Sequence, residues 1–324
     1  MELDDLRLVR ALQLAPRAGF ARLAEVLGMH ERTVARRYRR LHRAGVLRIF
    51  GVVNPLAVGH QLWQVRVRCR PDAAESLAAG LAARDDVAWV AVTAAGAEVL
   101  FAIRSHSAER SELLLTRGLP RSARVLDIGA GLVLHVFLGL GSQGWSELAG
   151  LLTPAEVEQL DVARGEPEEL APEPYDPAIV RVLAADGRAT TARIAEAAGI
   201  SEGRAARRLA ALLRSRTVVI DLDLAHGAFG LTVGAQLCLT VAPARLREVG
   251  EALAALPEVG YVAALSGREN LVAAVACRDL RRLYEFTVDR VGALDGVVAL
   301  EVLPYARVVK QSGGLLVDGR LVDG

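Results

Sequence analysis

Between Glu31 and Arg43 the chain places six arginines, Arg32, Arg36, Arg37, Arg39, Arg40 and Arg43. At helical spacing Arg32, Arg36, Arg40 and Arg43 share one face, and Val34, Tyr38 and Leu41 form an apolar stripe on another. Like charges at i, i+4 repel, so this crowding implies a polyanionic partner. A guanidinium is a planar fork of donors suited to phosphate oxygens and to the major-groove edge of guanine. Residues 1–50 hold eleven arginines against five acids, net +6, although the whole 324-residue chain carries only +1. The one lysine is Lys310.

Other candidate chemistry is sparse. The run Val125-Leu126-Asp127-Ile128-Gly129-Ala130-Gly131 is similar to the glycine-rich loop of S-adenosylmethionine methyltransferases. Such a loop ends at a helix start, where free amides meet the ligand. Here Val133 replaces a third glycine and β-branched residues follow, which predicts a continuing strand. The six histidines, His30, His42, His60, His106, His135 and His226, show no HxH or HExxH spacing. Cys69, Cys238 and Cys277 stand alone and suit a reduced core. No catalytic residue, metal or cofactor is expected. The start is acidic without an apolar run, and the greasiest stretch, 128–141, is interrupted by His135 and too short to span a bilayer. A cytoplasmic location and no membrane partner are therefore expected.

The elements around the arginines explain how they would be presented. Helical patterns run over 5–14, 21–27 and 31–43, with Gly28-Met29-His30 as a tight turn and Gly45 as a terminator. Two helices at a sharp turn, the second bearing exposed base, form a helix-turn-helix that reads double-stranded DNA. The chain then repeats itself at an offset of 171. Asp5 meets Asp176, Arg17-Ala18 meets Arg188-Ala189, Gly28 meets Gly199 and Arg36-Arg37 meets Arg207-Arg208. The second turn, Gly199-Ile200-Ser201, ends on a good N-cap. Its third helix keeps Arg204, Arg207, Arg208 and Arg214, but Ala211 stands where the first has Arg40. Residues 172–222 are net +2, and Gly203 weakens the first turn. The first copy should contribute more DNA affinity.

Each helix-turn-helix precedes a β-rich unit. Strands near 64–70, 87–93, 99–104 and 125–136 alternate with helices over 73–84 and 109–116. The second copy repeats the order with strands at 235–241, 259–265, 271–277 and 297–303 and helices at 245–256 and 280–291. This β-α-β-β-α-β order predicts a ferredoxin-like fold. The fold class is thus α+β, with two winged helix-turn-helix domains (1–53 and 176–224) and two ferredoxin-like domains (60–140 and 231–310). Residues 141–175 carry eight acids against one base and read as an acidic linker, with a short helix over 153–163, kept off DNA by its charge. The Gly-rich tail 311–324 is expected to be mobile.

At this point the chain resembles, twice over, the Lrp/AsnC family of leucine-responsive, "feast/famine" regulators. The resemblance rests on Asp5, on Leu23-Ala24-Glu25 with Gly28, and on Thr33-Val34-Ala35-Arg36-Arg37-Tyr38-x-x-Leu41-x-x-Ala44-Gly45-Val46-Leu47. The second copy shows Asp176, Ile194-Ala195-Glu196-x-x-Gly199-Ile200-Ser201 and Arg207-Arg208-Leu209-x-x-Leu212, then Ser266-Gly267-Arg268-Glu269-Asn270-Leu271. It implies a transcriptional regulator whose DNA-reading residues are Arg32, Thr33, Arg36, Arg37, Arg40, Arg43, Arg204, Arg207 and Arg208. It also implies a small effector, commonly an amino acid, bound near the glycine turn at Ser266, Gly267, Glu269 and Asn270, with Thr93, Gly96 and Glu98 in the first copy. The family usually has Asp at Asn270, and the first copy departs further, so a sheet that serves only dimerisation is the alternative. The family works as dimers or larger homo-oligomers; a tandem chain could pair its own two sensor sheets or pair them between chains, on an asymmetric operator in either case. Siroheme decarboxylases share this architecture and carry His, Asn and Trp around the third strand. Here Ala97-Glu98-Val99-Leu100-Phe101 and Arg268–Ala273 hold no His or Trp, so a decarboxylase, like a methyltransferase, is the alternative and a regulator without enzymatic activity is the reading.

Overall fold

The computed structural model describes every residue except 56, 94, 106–113, 140–146, 161–169, 313 and 323–324. Each half opens on three helices: α1 (Leu3–Leu14), α2 (Phe20–Leu27) and α3 (Glu31–Arg43), then, in the second half, α6 (Asp176–Ala185), α7 (Thr191–Ala198) and α8 (Glu202–Arg214). Gly28 and Gly199 close α2 and α7 in the left-handed region, at φ 66° and 65°, where a Cβ is unfavourable. The Ser201 hydroxyl accepts the Arg204 amide and caps α8.

The two helix-turn-helix units do not stand apart. The strands that follow them, β1 (Leu47–Val53) and β6 (Val218–Leu224), pair antiparallel from Leu47 opposite Leu224 to Val53 opposite Val218. Leu8, Leu12 and Leu23 of the first unit and Ile179, Leu183 and Ile194 of the second belong to one continuous apolar core. The α5 helix of the linker (Pro154–Leu160) joins it through Leu160. That helix begins with a capping box: the Thr153 amide donates to Glu156, and the Glu156 amide to the Thr153 hydroxyl. The acids expected at 161, 166, 168 and 169, and Arg164, lie outside the described residues.

The sensor units consist of β2 (Gln61–Cys69), α4 (Ala74–Ala82), β3 (Val87–Thr93), β4 (Glu98–Ser105) and β5 (Val125–Leu138), and of β7 (Val233–Val241), α9 (Leu246–Ala254), β8 (Val259–Leu265), β9 (Leu271–Cys277), α10 (Leu280–Glu285) and β10 (Val297–Gln311). Most of the helix expected over 109–116 lies outside the described residues, and 114–118 forms one wide turn. Within each unit the strand order is that of a ferredoxin-like sheet, β5-β2-β4-β3 and β10-β7-β9-β8. The long last strands then change partners. β5 pairs with β2 up to Leu132 and with β8 from Val133. β10 pairs with β7 up to Pro304 and with β3 from Tyr305. Eight strands therefore close into a ring, and neither unit leaves a bare edge. The two sensor sheets pair within one chain.

The glycine run at 125–131 is strand β5 throughout. At Gly131 a Cβ would stand 3.0 Å from the Ser266 carbonyl oxygen, so the small residues let β5 cross between the sheets rather than cradle a cofactor. The tail is also corrected. β11 (Gly314–Val317) and β12 (Arg320–Val322) form a hairpin continuing from β10, because Asp318-Gly319, both at positive φ, make the tight turn that suits strand twist.

Candidate nucleic-acid interface

On α3, Val34 and Leu41 are buried and Tyr38 half-buried, while Arg32, Arg36, Arg39 and Arg43 are exposed, with Thr33 half-buried beside them. Arg36, Arg39, Arg40, Arg43 and Ala44 line an open cleft. Among the described residues Arg32, Arg36, Arg39 and Arg43 have no acidic partner within ion-pair distance; Arg39, seven residues from Arg32 and so on the same helix face, joins the expected DNA-reading residues in this cleft although the sequence reading leaves it out.

Arg37 is different. It bonds Glu2 at 2.7 Å, Asp4 at 3.0 Å and Asp5 at 2.8 Å, with its side chain 13% exposed. These hydrogen bonds, Glu2 first and then Asp5, push its pKa further up. Arg40 also reaches Asp5, at 2.5 Å, but stays half exposed. In the second copy Arg208 grips Asp176 at 2.7 and 2.5 Å with its side chain 10% exposed. Arg204 lies 4.8 Å from the Tyr175 ring centroid and donates to the Tyr175 hydroxyl. Arg37 and Arg208, both expected to read DNA, are thus engaged by acids of their own units. The carboxylate at the start of the first helix is buried in the first copy and half-buried in the second, and in each it is held by a fixed cation. The matched Asp5/Asp176 and Arg37/Arg208 pairs were the sequence signal for this. Arg207 and Arg214 remain as the exposed arginines of α8 without an acidic partner among the described residues.

Sequence reasoning also missed the clamp between the units. Arg17 donates to the carbonyls of Gly187 and Ala189, and Arg188 to those of Pro16 and Ala18. Arg188 additionally lies 4.7 Å from the Phe20 ring centroid and 5.4 Å from that of Tyr38. The α5 helix of the linker docks on the first unit, where Arg7 binds Glu156 at 2.5 Å and Arg22 donates to the Gln159 carbonyl, and the end of the linker docks on the second, where the Ala171 carbonyl accepts from Arg208 at 2.7 Å.

The expected effector residues are placed on two turns and are mostly engaged by the protein itself. The Ser266 hydroxyl accepts the Leu132 amide at 2.9 Å. The Asn270 side chain accepts the Val241 amide and donates to its carbonyl, both at 2.8 Å. Gly267 is exposed and Glu269 half-buried. In the first copy Thr93 is buried, Gly96 turns at φ 67°, and Glu98 binds Arg66 at 2.9 Å. Arg66 also binds Glu301 at 2.6 Å, bridging the first sheet to β10. Burial pushes the nearby Cys238 thiol up to about 12, with Glu269, Arg66 and Glu301 acting on it. Among the described residues no cluster of His, Cys, Asp and Glu is arranged to hold a metal, and no helix is long and apolar enough to cross a membrane.

Two paired helix-turn-helix units on a closed pair of ferredoxin-like sheets, with a basic reading helix exposed, define a DNA-binding transcriptional regulator. The AsnC-type helix-turn-helix domain matches residues 3–42 and 174–213, and the Lrp/AsnC ligand-binding domain matches 235–315. The chain belongs to the Lrp/AsnC family, in a tandem-duplicated form. It is 29% identical over 136 residues to helix-turn-helix-type transcriptional regulators of Pyrococcus abyssi and Pyrococcus furiosus, covering 42% of this chain and 86% and 92% of those relatives. Among solved structures, the siroheme decarboxylase NirDL superposes with a TM-score of 0.64 over 96% of this chain and 93% of that one, at 16% identity; that likeness is one of fold.

Proposed function

We propose that one chain acts as a complete internal pseudo-dimer that reads an asymmetric duplex site, with α3 as the principal reader and α8 as the weaker one. Arg32, Thr33, Arg36, Arg40 and Arg43 contact DNA from α3; Arg207, helped by Arg204, does so from α8. The observation that carries this is the exposed arginine cleft on α3, whose guanidiniums have few internal acids to bind. Phosphate contacts supply affinity and base-edge contacts supply sequence choice. The protein works in the cytoplasm, without catalytic activity, and larger assemblies form through the sensor ring. Selection of bound duplexes from random sequence tests the reading. A motif with two dissimilar halves supports it; a palindrome, or no enrichment, rejects it.

The effector reading is narrower than the family pattern suggests. Asn270 and Glu98 are occupied by Val241 and Arg66, so an amino acid bound at Ser266, Gly267 and Glu269 must displace or extend these contacts. The second sensor, which carries the ligand-binding match, is the copy that responds. A thermal-shift series with the common amino acids tests this, since a ligand that binds the folded state stabilises it. No stabilisation by any of them leaves the ring as a dimerisation device.

The chain-length likeness in fold to NirDL favours one second reading, a siroheme decarboxylase. Titration with an iron-uroporphyrin, followed by its visible absorption, separates the two: a saturable spectral shift supports the enzyme, and none supports the regulator.

A further inference from the structure

The turn after each reading helix has the same backbone conformation with opposite side-chain content. Gly45 follows α3 at φ 65°, and Arg216, 171 residues later, follows α8 at φ 55°. A side chain is therefore tolerated in this turn, and backbone conformation alone does not explain Gly45. The C-terminal hairpin does. Leu321 donates its amide to the Gly45 carbonyl at 2.9 Å. A Cβ on Gly45 would stand 2.6 Å from the Leu321 carbonyl oxygen and 3.0 Å from Arg320 Cβ. Arg320 thus springs from the place that the Arg216 side chain occupies in the second copy. Both arginines are exposed, and neither has an acidic partner within ion-pair distance among the described residues.

The location matters because Gly45 adjoins Ala44 and Arg43, which line the basic cleft on α3. Leu321 is buried and anchors the hairpin, and the tight Asp318-Gly319 turn holds Arg320 opposite Val317. The first unit has no arginine in its own turn but has one beside it from the far end of the chain. Asp318 opposes it only in part, being an exposed carboxylate on the same turn.

We infer that the β11–β12 hairpin is a DNA-contacting wing of the first helix-turn-helix, in which Arg320 takes a backbone phosphate just beyond the end of α3, as Arg216 does beyond α8. The inference builds on the proposal that α3 faces DNA.

Salt dependence counts phosphate contacts directly, at a slope of about 0.9 in log K per log salt for each phosphate. The probe is a duplex of about 30 base pairs with no selected sequence, because non-specific binding is carried by phosphates. Arg320→Ala should lower the slope by about 0.9, Arg216→Ala by about the same, and the double variant by about twice that. Arg320→Lys should restore the slope, and Asp318→Asn, which keeps the turn, should tighten binding. Melting temperatures for Arg320→Ala and Arg320→Gln should stay at the parent value. An unchanged slope for Arg320→Ala and Arg320→Gln overturns the wing, whatever Arg36→Ala does. A silent Arg36→Ala beside an active Arg320→Ala instead rejects the α3 reading and leaves the wing standing.

Discussion

Arg17 and Arg188, equivalent residues of the two halves, each reach across to the other half and donate twice to the backbone around its partner. Arg188 bonds the carbonyls of Pro16 and Ala18 at 2.6 and 2.7 Å; Arg17 bonds those of Gly187 and, at 2.9 Å, Ala189. The exchange is a two-fold interface written twice into one chain. Burial lowers the pKa of both groups, with each other's charge adding to that of Arg17, so the bonds compensate two partly desolvated cations.

The clamp should not break evenly. Arg188→Ala removes two charge-assisted bonds and the contacts over Phe20 and Tyr38, and should cost about 3 kcal/mol; Arg17→Ala lacks the aromatic part and should cost about 2 kcal/mol. Urea unfolding followed by far-ultraviolet circular dichroism measures both. Equal costs would remove the aromatic contribution from this account.

Neighbouring arginines on α3 should separate into two kinds. Arg37→Ala leaves Asp5, whose side chain is only 4% exposed, with the half-exposed Arg40 as its one remaining guanidinium partner among the described residues, and should destabilise by about 1–3 kcal/mol. Arg36→Ala should change stability by less than about 0.5 kcal/mol yet weaken DNA binding. Paired unfolding and binding measurements decide this; a stable Arg37→Ala with weakened binding would return Arg37 to the DNA-reading set.

Asp223 predicts a pH effect. It sits on β6 opposite Arg48, 3% exposed, with Oδ2 unpartnered among the described residues. Burial, then repulsion from Asp221, raises its pKa well above the usual carboxylate range, although Ser312, Arg48 and Arg104 pull the other way. A raised folded pKa means the folded state holds the proton more tightly, so stability is fullest below the unfolded value near 3.9 and is lost as pH rises through the folded value. Asp223→Asn should therefore raise the melting temperature at pH 8 and change it little at pH 4. An Asn variant less stable at pH 8 would mean that the Arg48 and Arg104 charges outweigh burial.

Gly45→Ala should cost about 1–3 kcal/mol, since it adds a Cβ at positive φ against the Leu321 backbone. Hydrogen exchange of the Leu321 amide should accelerate with it. Arg216→Ala, in the same turn of the second copy, should leave exchange of that amide unchanged. Unchanged protection of Leu321 in Gly45→Ala would detach the hairpin from this turn.

Much of this architecture was legible in local signals. Gly28 and Gly199, the stripes of Val34, Tyr38 and Leu41, and the alternation of the strands are short-range patterns with direct causes. The repeat at offset 171 marks two matching halves but leaves open whether they pair with each other. What sequence could not show was which side chains satisfy one another. Arg37 and Arg36 read alike until Asp5 is seen buried beneath one of them, and Asn270 read as an effector residue until its bonds to Val241 appeared. The tail was misjudged because Gly-rich composition outweighed the Asp318-Gly319 turn signal, and its anchor at Gly45 lies 276 positions away in sequence. The switch of β5 and β10 between sheets is likewise a long-range event that alternation alone cannot encode.

The central claim is an unequal pair of reading helices in one chain, and the salt dependence of duplex binding by Arg36→Ala and Arg207→Ala tests it most directly. Each lost phosphate contact lowers the slope by about 0.9. The account predicts a larger loss of affinity and slope for Arg36→Ala, with both variants folded. An equal or larger loss for Arg207→Ala would contradict it.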